Sequence, residues 1–335
     1  MIQQADLTVE SQWQKELKQS FTRPEALYNY LGLDVSDRQG DIQARKLFAM
    51  RVPRPFADLM KRGDERDPLL LQVLPNRSEF TQLPGYVTDP LEEQDNEIPG
   101  LLHKYLSRVL IMFRTGCAVN CRYCFRRHFP YEDNRINKAQ LLKQLEYIGS
   151  RPEINEVILS GGDPLMAKDE HIAWFVEQLE TIPHIKRLRI HSRLPVVIPS
   201  RLTTELKNIL TPGRLKTILV LHINHANEIS EKLTEETRAY KQAGIWLLNQ
   251  AVLLKDVNDG TEQQVALSEA LFDADIQPYY LHLLDKVAGA SHFDVAEQDA
   301  LALYRDMMAR LPGFLLPKLV REIGGEASKT PVLPY

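Results

Sequence analysis

From Leu106 onward the chain alternates short apolar runs, rich in branched residues, with longer stretches whose apolar residues recur at helical spacing. The runs are VLIMFRTG at 109–116, EVILSGG at 156–162, RLRIHS at 187–192, LKTILVLHI at 215–223, IWLLNQAVLL at 245–254 and IQPYYLHLL at 276–284. Each is the length of a strand. Between the first two, AQLLKQLEYIG puts Leu141, Leu145 and Ile148 on one helical face; after the last, ALALYRDMMARL does the same with Leu301, Tyr304, Met308 and Leu311. Continuous apolar strands alternating with helices predict an α/β fold with a parallel sheet covered by helices. Six βα units in about 200 residues suit an open, partial (β/α)6 barrel better than the eight units of a closed one, with a doubly wound sheet as the alternative.

Residues 1–100 follow a different pattern. A helical opening gives way to an arginine- and proline-punctuated middle, MRVPRPFADLMKRGDERDP, and then to the acidic loop DPLEEQDNEIPG. This predicts a mostly helical N-terminal extension over 1–100, a barrel over 101–313 and a short C-terminal segment over 314–335. In either α/β architecture the site belongs at the carboxyl ends of the strands. The polar signals stand there: Cys117 after the first run, Gly161-Gly162-Asp163-Pro164 after the second, Ser192-Arg193 after the third, His225 after the fourth and Asp285 after the sixth.

Charge and cysteine usage narrow the chemistry. The 335 residues carry 41 basic and 45 acidic side chains, a net charge of -4, so no global basic field favours nucleic acid or an anionic membrane. The first residues contain no apolar signal region, and runs such as LLLQVL and TILVLHI are too short to span a bilayer, so a cytoplasmic protein is expected. All three cysteines, Cys117, Cys121 and Cys124, lie on one short loop. An odd number so placed excludes a disulfide framework and points to metal binding or catalysis in a reducing compartment.

The C-x3-C-x2-C spacing can grip one compact inorganic centre. An iron-sulfur cluster held by three thiolates leaves one iron without a protein ligand. Zinc is the alternative, because His128 follows Cys124 and would complete a tetrahedral Cys3His site in a binding module.

Over roughly residues 105–333 the chain resembles the radical S-adenosylmethionine superfamily and, within it, the lysine 2,3-aminomutase family. The segments carrying the resemblance are SRVLIMFRTGCAVNCRYCFRRHF, ILSGGDPL, RIHSRLPVVIPSRLT, NHANEIS, NQAVLLKDVND, QPYYLHLLD and GGEASKTPV. It implies three cofactors: a [4Fe-4S] cluster on Cys117, Cys121 and Cys124, S-adenosyl-L-methionine, and pyridoxal 5'-phosphate carried by Lys329. Gly161, Gly162, Asp163 and Pro164 match the stretch supporting S-adenosylmethionine, with Ser192, His225 and Gln250 as further contacts. Arg108 matches an arginine suited to the pyridoxal phosphate group. Arg126 resembles the clamp for the substrate carboxylate, and Asp285 and Glu322 the pair receiving the distal ammonium of L-lysine. Glu322 stands where the family has aspartate, and His282 where it has tyrosine. The reaction implied is isomerisation of lysine to β-lysine, dependent on an electron donor protein. A chain ending six residues past Lys329 most resembles the branch whose (R)-β-lysine modifies elongation factor P. An aminomutase acting on another or a protein-bound amino acid is the alternative; the two carboxylates speak against glutamate.

Overall fold

The six apolar runs become neighbouring strands of one nine-stranded sheet in the computed structural model of the chain, which describes residues 10–334 apart from 37, 94–97, 131–136 and 212. The strands are β1 (Leu101–Tyr105), β2 (Arg108–Arg114), β3 (Glu156–Gly161), β4 (Arg187–Ser192), β5 (Lys216–His222), β6 (Trp246–Val252), β7 (Gln277–His282), β8 (Lys318–Arg321) and β9 (Thr330–Pro331). Their order in the sheet is their order in the chain. Strands β2 to β8 pair in parallel, and β1 and β9 add antiparallel edges at the two ends. The sheet does not close, so the fold is the expected partial barrel. Three strands were not legible: β1 is half-polar, β8 is short, and β9 has two residues.

Helices cover the outside. Five short ones precede the barrel: α1 (Gln12–Lys18), α2 (Pro24–Leu31), α3 (Gln39–Ala44), α4 (Arg54–Ala57) and α5 (Pro68–Leu71). The crossovers carry α6 (Lys138–Gly149), α7 (Asp169–Glu180), α8 (Leu194–Val197), α9 (Thr204–Leu210), α10 (Glu231–Gln242), α11 (Thr261–Asp273) and α12 (Glu297–Arg310). Helix α6 starts on a reciprocal capping box: Asn137 Oδ1 accepts from Gln140 N at 3.0 Å, and Gln140 Oε1 accepts from Asn137 N at 2.9 Å. It buries Leu145 and Ile148 as its spacing predicts. Helix α12 corrects the predicted stripe. Ala300, Leu303, Tyr304 and Met307 face the core, whereas Met308 is 52% exposed. Two overlapping apolar stripes were available, and packing selected the other one.

Strand parity divides the sheet into two environments. Val157, Leu159, Leu188, Ile190, Leu219 and Leu221 point outward into the helix layer and are buried. Their alternates face inward and are largely polar: Glu156 and Ser160 on β3, Arg189 and His191 on β4, Lys216 and His222 on β5.

The N-terminal helices join the same apolar core through Trp13, Leu27, Phe56 and Leu70. They also grip the cysteine loop. Arg51 Nη1 donates to Cys117 O at 2.9 Å, Asn120 N to Arg51 O at 3.1 Å and Arg122 N to Gln72 O at 2.9 Å. Beneath the loop the Glu79 carboxylate is buried, receiving Arg122 Nε at 2.8 Å, Arg127 Nη2 at 2.6 Å and Asn76 N at 3.0 Å. Removing one partner of a buried ion cluster strands the others. Glu79→Ala is therefore expected to lower unfolding free energy by about 3–5 kcal/mol, read by urea denaturation, with a smaller loss in Glu79→Gln.

Candidate active site

A cavity of about 1110 Å³ runs through the barrel interior, from Cys117, Cys121 and Cys124 at the carboxyl ends of the strands to Glu156 and Lys216 at their amino ends. It is large enough for more than one organic ligand.

The upper end is built by two glycines. Gly161 has φ +106, and a Cβ there would lie 2.8 Å from Arg114 O; at Gly162 it would lie 2.7 Å from Gly116 O. Only glycine allows this approach of β3 to the end of β2. The contact is sealed by Gly162 N donating to Arg114 O at 2.7 Å and Asp163 N to Gly116 O at 2.9 Å. The Gly162 amide is thus spent on β2. The buried Asp163 carboxylate accepts four bonds, from Ser192 Oγ at 2.8 Å, Leu165 N at 3.0 Å, Arg193 N at 2.9 Å and Leu194 N at 2.8 Å. Asp163 and Ser192 therefore satisfy each other, and Pro164 starts a buried turn off the cavity wall.

Arg193 carries that scaffold to the cysteines. Its Nη1 donates to Cys121 Sγ at 2.8 Å and to Tyr123 OH at 2.6 Å; its Nη2 donates to Gln72 Oε1 at 2.7 Å and Glu228 Oε2 at 3.0 Å. Burial pushes the Cys117 thiol well up and the Cys124 thiol up to about 11, so metal ligation must displace their protons. The zinc alternative lacks its fourth ligand, because His128 Nε2 donates to Ala288 O at 3.0 Å. Three soft sulfurs beside a guanidinium suit an iron-sulfur cluster.

Further in, the predicted substrate residues converge. Arg126 is buried and paired with Glu93, Nε to Oε2 at 2.6 Å and Nη2 to Oε1 at 3.2 Å, and Lys104 Nζ reaches the same carboxylate at 3.2 Å. Burial opposes ionisation of Glu93, but the Arg126 guanidinium outweighs it and holds the carboxyl below its usual range. Gly325, at φ +79, turns the chain after β8 so that Lys329 returns beside Glu322. Lys329 Nζ donates to Glu322 Oε2, and Tyr105 OH to Glu322 Oε1 at 3.0 Å. Asp285 lines the cavity nearby. Burial first, and Glu322 second, push its carboxyl up to about 7 against the pull of Lys329. His191 and His282 also line this region, and burial, with Lys329 close by, holds both well below the usual histidine range.

Arg108 and Gln250 lie on the cavity wall, Arg108 with its guanidinium 4.0 Å from the Tyr105 ring centroid. His225 does not. Its Nδ1 accepts from Asn227 N at 3.1 Å, capping a turn beyond β5. The inward histidine of that strand is His222, whose Nε2 shares a hydrogen bond with Tyr123 OH at 2.8 Å. Strand parity could have found His222. No local signal marks Gln72, Glu79 or Glu93, which act across long sequence separations.

The model of the Radical SAM superfamily matches residues 111–265. An L-lysine 2,3-aminomutase from Escherichia coli K12 is 52% identical over 321 residues, spanning 96% of this chain and 94% of that protein. The chain belongs to the L-lysine 2,3-aminomutase family. A second such protein, from Haemophilus influenzae, is 51% identical with 95% of its length covered, and one from Clostridium subterminale is 33% identical with 78% covered. Enzymes of this family are radical isomerases that use a [4Fe-4S] cluster, S-adenosylmethionine and pyridoxal phosphate, and the thiol loop, cavity and half-buried lysine described above are compatible with all three. No helix among the described residues is long and apolar enough to cross a membrane.

Cluster assembly separates cysteine from histidine. After anaerobic reconstitution, His128→Ala is expected to hold iron and acid-labile sulfide at the wild-type level, whereas Cys121→Ala loses most of both.

Proposed function

We propose that this chain moves the α-amino group of L-lysine to C3, giving β-lysine as the R enantiomer, with elongation factor P as its eventual acceptor and a protein as its electron source. The observation that carries the reading is charge placement within one cavity: a buried arginine, Arg126, and two carboxylates, Asp285 and Glu322, grouped around Lys329. The chain is 52% identical to the Escherichia coli protein and 33% identical to the clostridial one, both named L-lysine 2,3-aminomutase, which supports lysine as the substrate.

In this reading S-adenosylmethionine on a cluster at Cys117, Cys121 and Cys124 supplies a hydrogen-abstracting radical, and pyridoxal phosphate on Lys329 supplies the π system through which nitrogen migrates. The chain contributes positioning. Arg126, fixed in plane by Glu93, receives the substrate carboxylate, and Asp285 with Glu322 receives the distal ammonium. Holding both ends sets C3 toward the cluster end of the cavity. Burial excludes water from a reactive radical. Gly161, Gly162 and Gln250 fall to the S-adenosylmethionine end, with Asp163 and Ser192 supporting it from behind.

Anaerobic incubation with L-lysine, S-adenosylmethionine, pyridoxal phosphate and a reductant is expected to yield (R)-β-lysine by chiral chromatography. No product from cluster-replete enzyme would overturn the reading, and the S enantiomer would overturn the stereochemical part. Asp285→Ala is expected to lower kcat/KM for lysine by about a hundredfold or more while iron content stays intact.

A pH profile tests Asp285 separately. Only its ionised form attracts an ammonium, and its carboxyl titrates near 7 in the free chain. On this basis kcat/KM for lysine rises up to about pH 7 and falls about tenfold per unit below it, an inflection absent from Asp285→Asn.

A further inference from the structure

The N-terminal helices lay a basic surface beside the cysteine loop. Phe21 pairs with Val52 in an antiparallel bridge, and its ring lies 5.0 Å from that of Tyr30 on α2. Two exposed guanidiniums crowd the same tyrosine, Arg54 at 5.0 Å and Arg62 at 5.1 Å from its ring centroid. Arg23, two residues beyond Phe21, is exposed as well, and Arg51 immediately precedes Val52. Among the described residues none of these four arginines pairs with a carboxylate, whereas nearby Lys61 is paired with Asp64 and Arg38 with Glu65. The same elements hold two acids outside any ion pair, Glu25 and Asp58, the second accepting from Tyr30 OH. Four cations against two anions leave a net charge of +2, on a chain whose total is -4. Cations gathered in this way repel one another, and an acidic partner relieves the repulsion.

Position selects the kind of partner. Arg51 reaches the cysteine loop directly, its Nη1 donating to Cys117 O at 2.9 Å and its carbonyl accepting from Asn120 N at 3.1 Å. Helix α4 begins at Arg54 and buries Phe56 against Arg193, whose guanidinium is 5.5 Å from the ring centroid and donates to Cys121 Sγ at 2.8 Å. A single layer of side chains therefore separates the basic surface from two of the three cysteines. Electron transfer through protein slows exponentially with distance, so a carrier has to dock where the cluster lies close beneath. Arg51, Arg54 and Phe56 do not line the cavity, so a protein on this surface does not compete with substrate.

We infer that the surface around Tyr30, Arg54 and Arg62 docks the electron source, a small acidic protein that carries single electrons, and that Arg51 and Phe56 hold this surface against the cysteine loop. The docked carrier is oxidised by one electron and the cluster is reduced by one, with no bond made or broken in the step. This rests on the reading of Cys117, Cys121 and Cys124 as cluster ligands and of a protein as the electron source.

The test mixes the cluster-reconstituted full chain anaerobically with reduced flavodoxin, an acidic flavoprotein, and separately with dithionite, and follows cluster reduction by visible absorbance. In the double variant Arg54→Glu/Arg62→Glu the second-order rate constant with flavodoxin is expected to fall about thirtyfold or more, while that with dithionite changes less than about threefold. Raising the ionic strength from about 0.05 M to about 0.5 M should slow flavodoxin in the wild type and not in the double variant. Asp58→Asn removes a negative charge from the same surface and should speed flavodoxin about twofold, which keeps the test open if the double variant fails to fold. Equal slowing with both reductants, or a flavodoxin rate unchanged in both variants, would overturn the inference. So would a wild-type cluster that dithionite reduces and flavodoxin does not. Reconstituted wild type without iron and acid-labile sulfide would instead overturn the reading of the cysteines, and the inference with it.

Discussion

The four hydrogen bonds to the Asp163 carboxylate are the contact on which the upper half of the barrel depends. Parallel strands splay at their carboxyl ends unless the loops are tied, and this carboxylate ties the end of β3 to the end of β4. Its own amide, bonded to Gly116 O, ties β3 to β2 as well. Through the backbone of Arg193 the same node sets the guanidinium that reaches Cys121. One buried charge thus links three strand ends and the metal-ligand loop, and its burial is tolerable only because every lone pair has a donor.

The inward face poses the opposite problem. A barrel interior of this size is normally filled by apolar layers, and here it carries ionised groups that must be balanced where they stand. The balance is local. Glu93 faces Arg126 and Lys104, and Glu156 faces Arg187 and Arg189. In both sets cations outnumber carboxylates, so those parts of the interior favour anions. The surroundings of Lys329 reverse the sign, with Asp285 and Glu322 against a single ammonium.

Much of this was legible in the sequence because strand and helix periods are strong signals in an α/β chain. The six central strands, the cysteine loop and the glycine pair fall where their patterns place them. What escaped was of two kinds. His225 was chosen over His222 because position after a strand was weighed and inward parity was not. Gln72, Glu79 and Glu93 escaped for a different reason. They belong to a region without periodic pattern, and their partners Arg193, Arg122 and Arg126 lie 121, 43 and 33 residues away. Asp163 and Ser192 do lie on the cavity wall after their strands, but their polar atoms turn toward each other, because position reveals neighbourhood and not orientation.

The departure of Glu322 from aspartate gains a physical meaning from the same geometry. Glu322 stands just past β8, and Lys329 precedes β9, the antiparallel partner of β8, so the two are neighbours across a turn. The longer side chain spans that gap, accepting Lys329 on one oxygen and Tyr105 on the other. Asp285, without such a donor among the described residues, keeps a carboxyl that burial holds near neutrality. The two acids are therefore unequal in the free chain. Glu322 is already ionised and engaged, while Asp285 is poised to ionise when a cation arrives, since a neighbouring positive charge lowers a buried carboxyl most. In the proposed reading of this wall as the ammonium site, an incoming ammonium would meet a second charge that develops on contact, whereas a carboxylate in the same place would face Glu322 and the burial of a second anion at once.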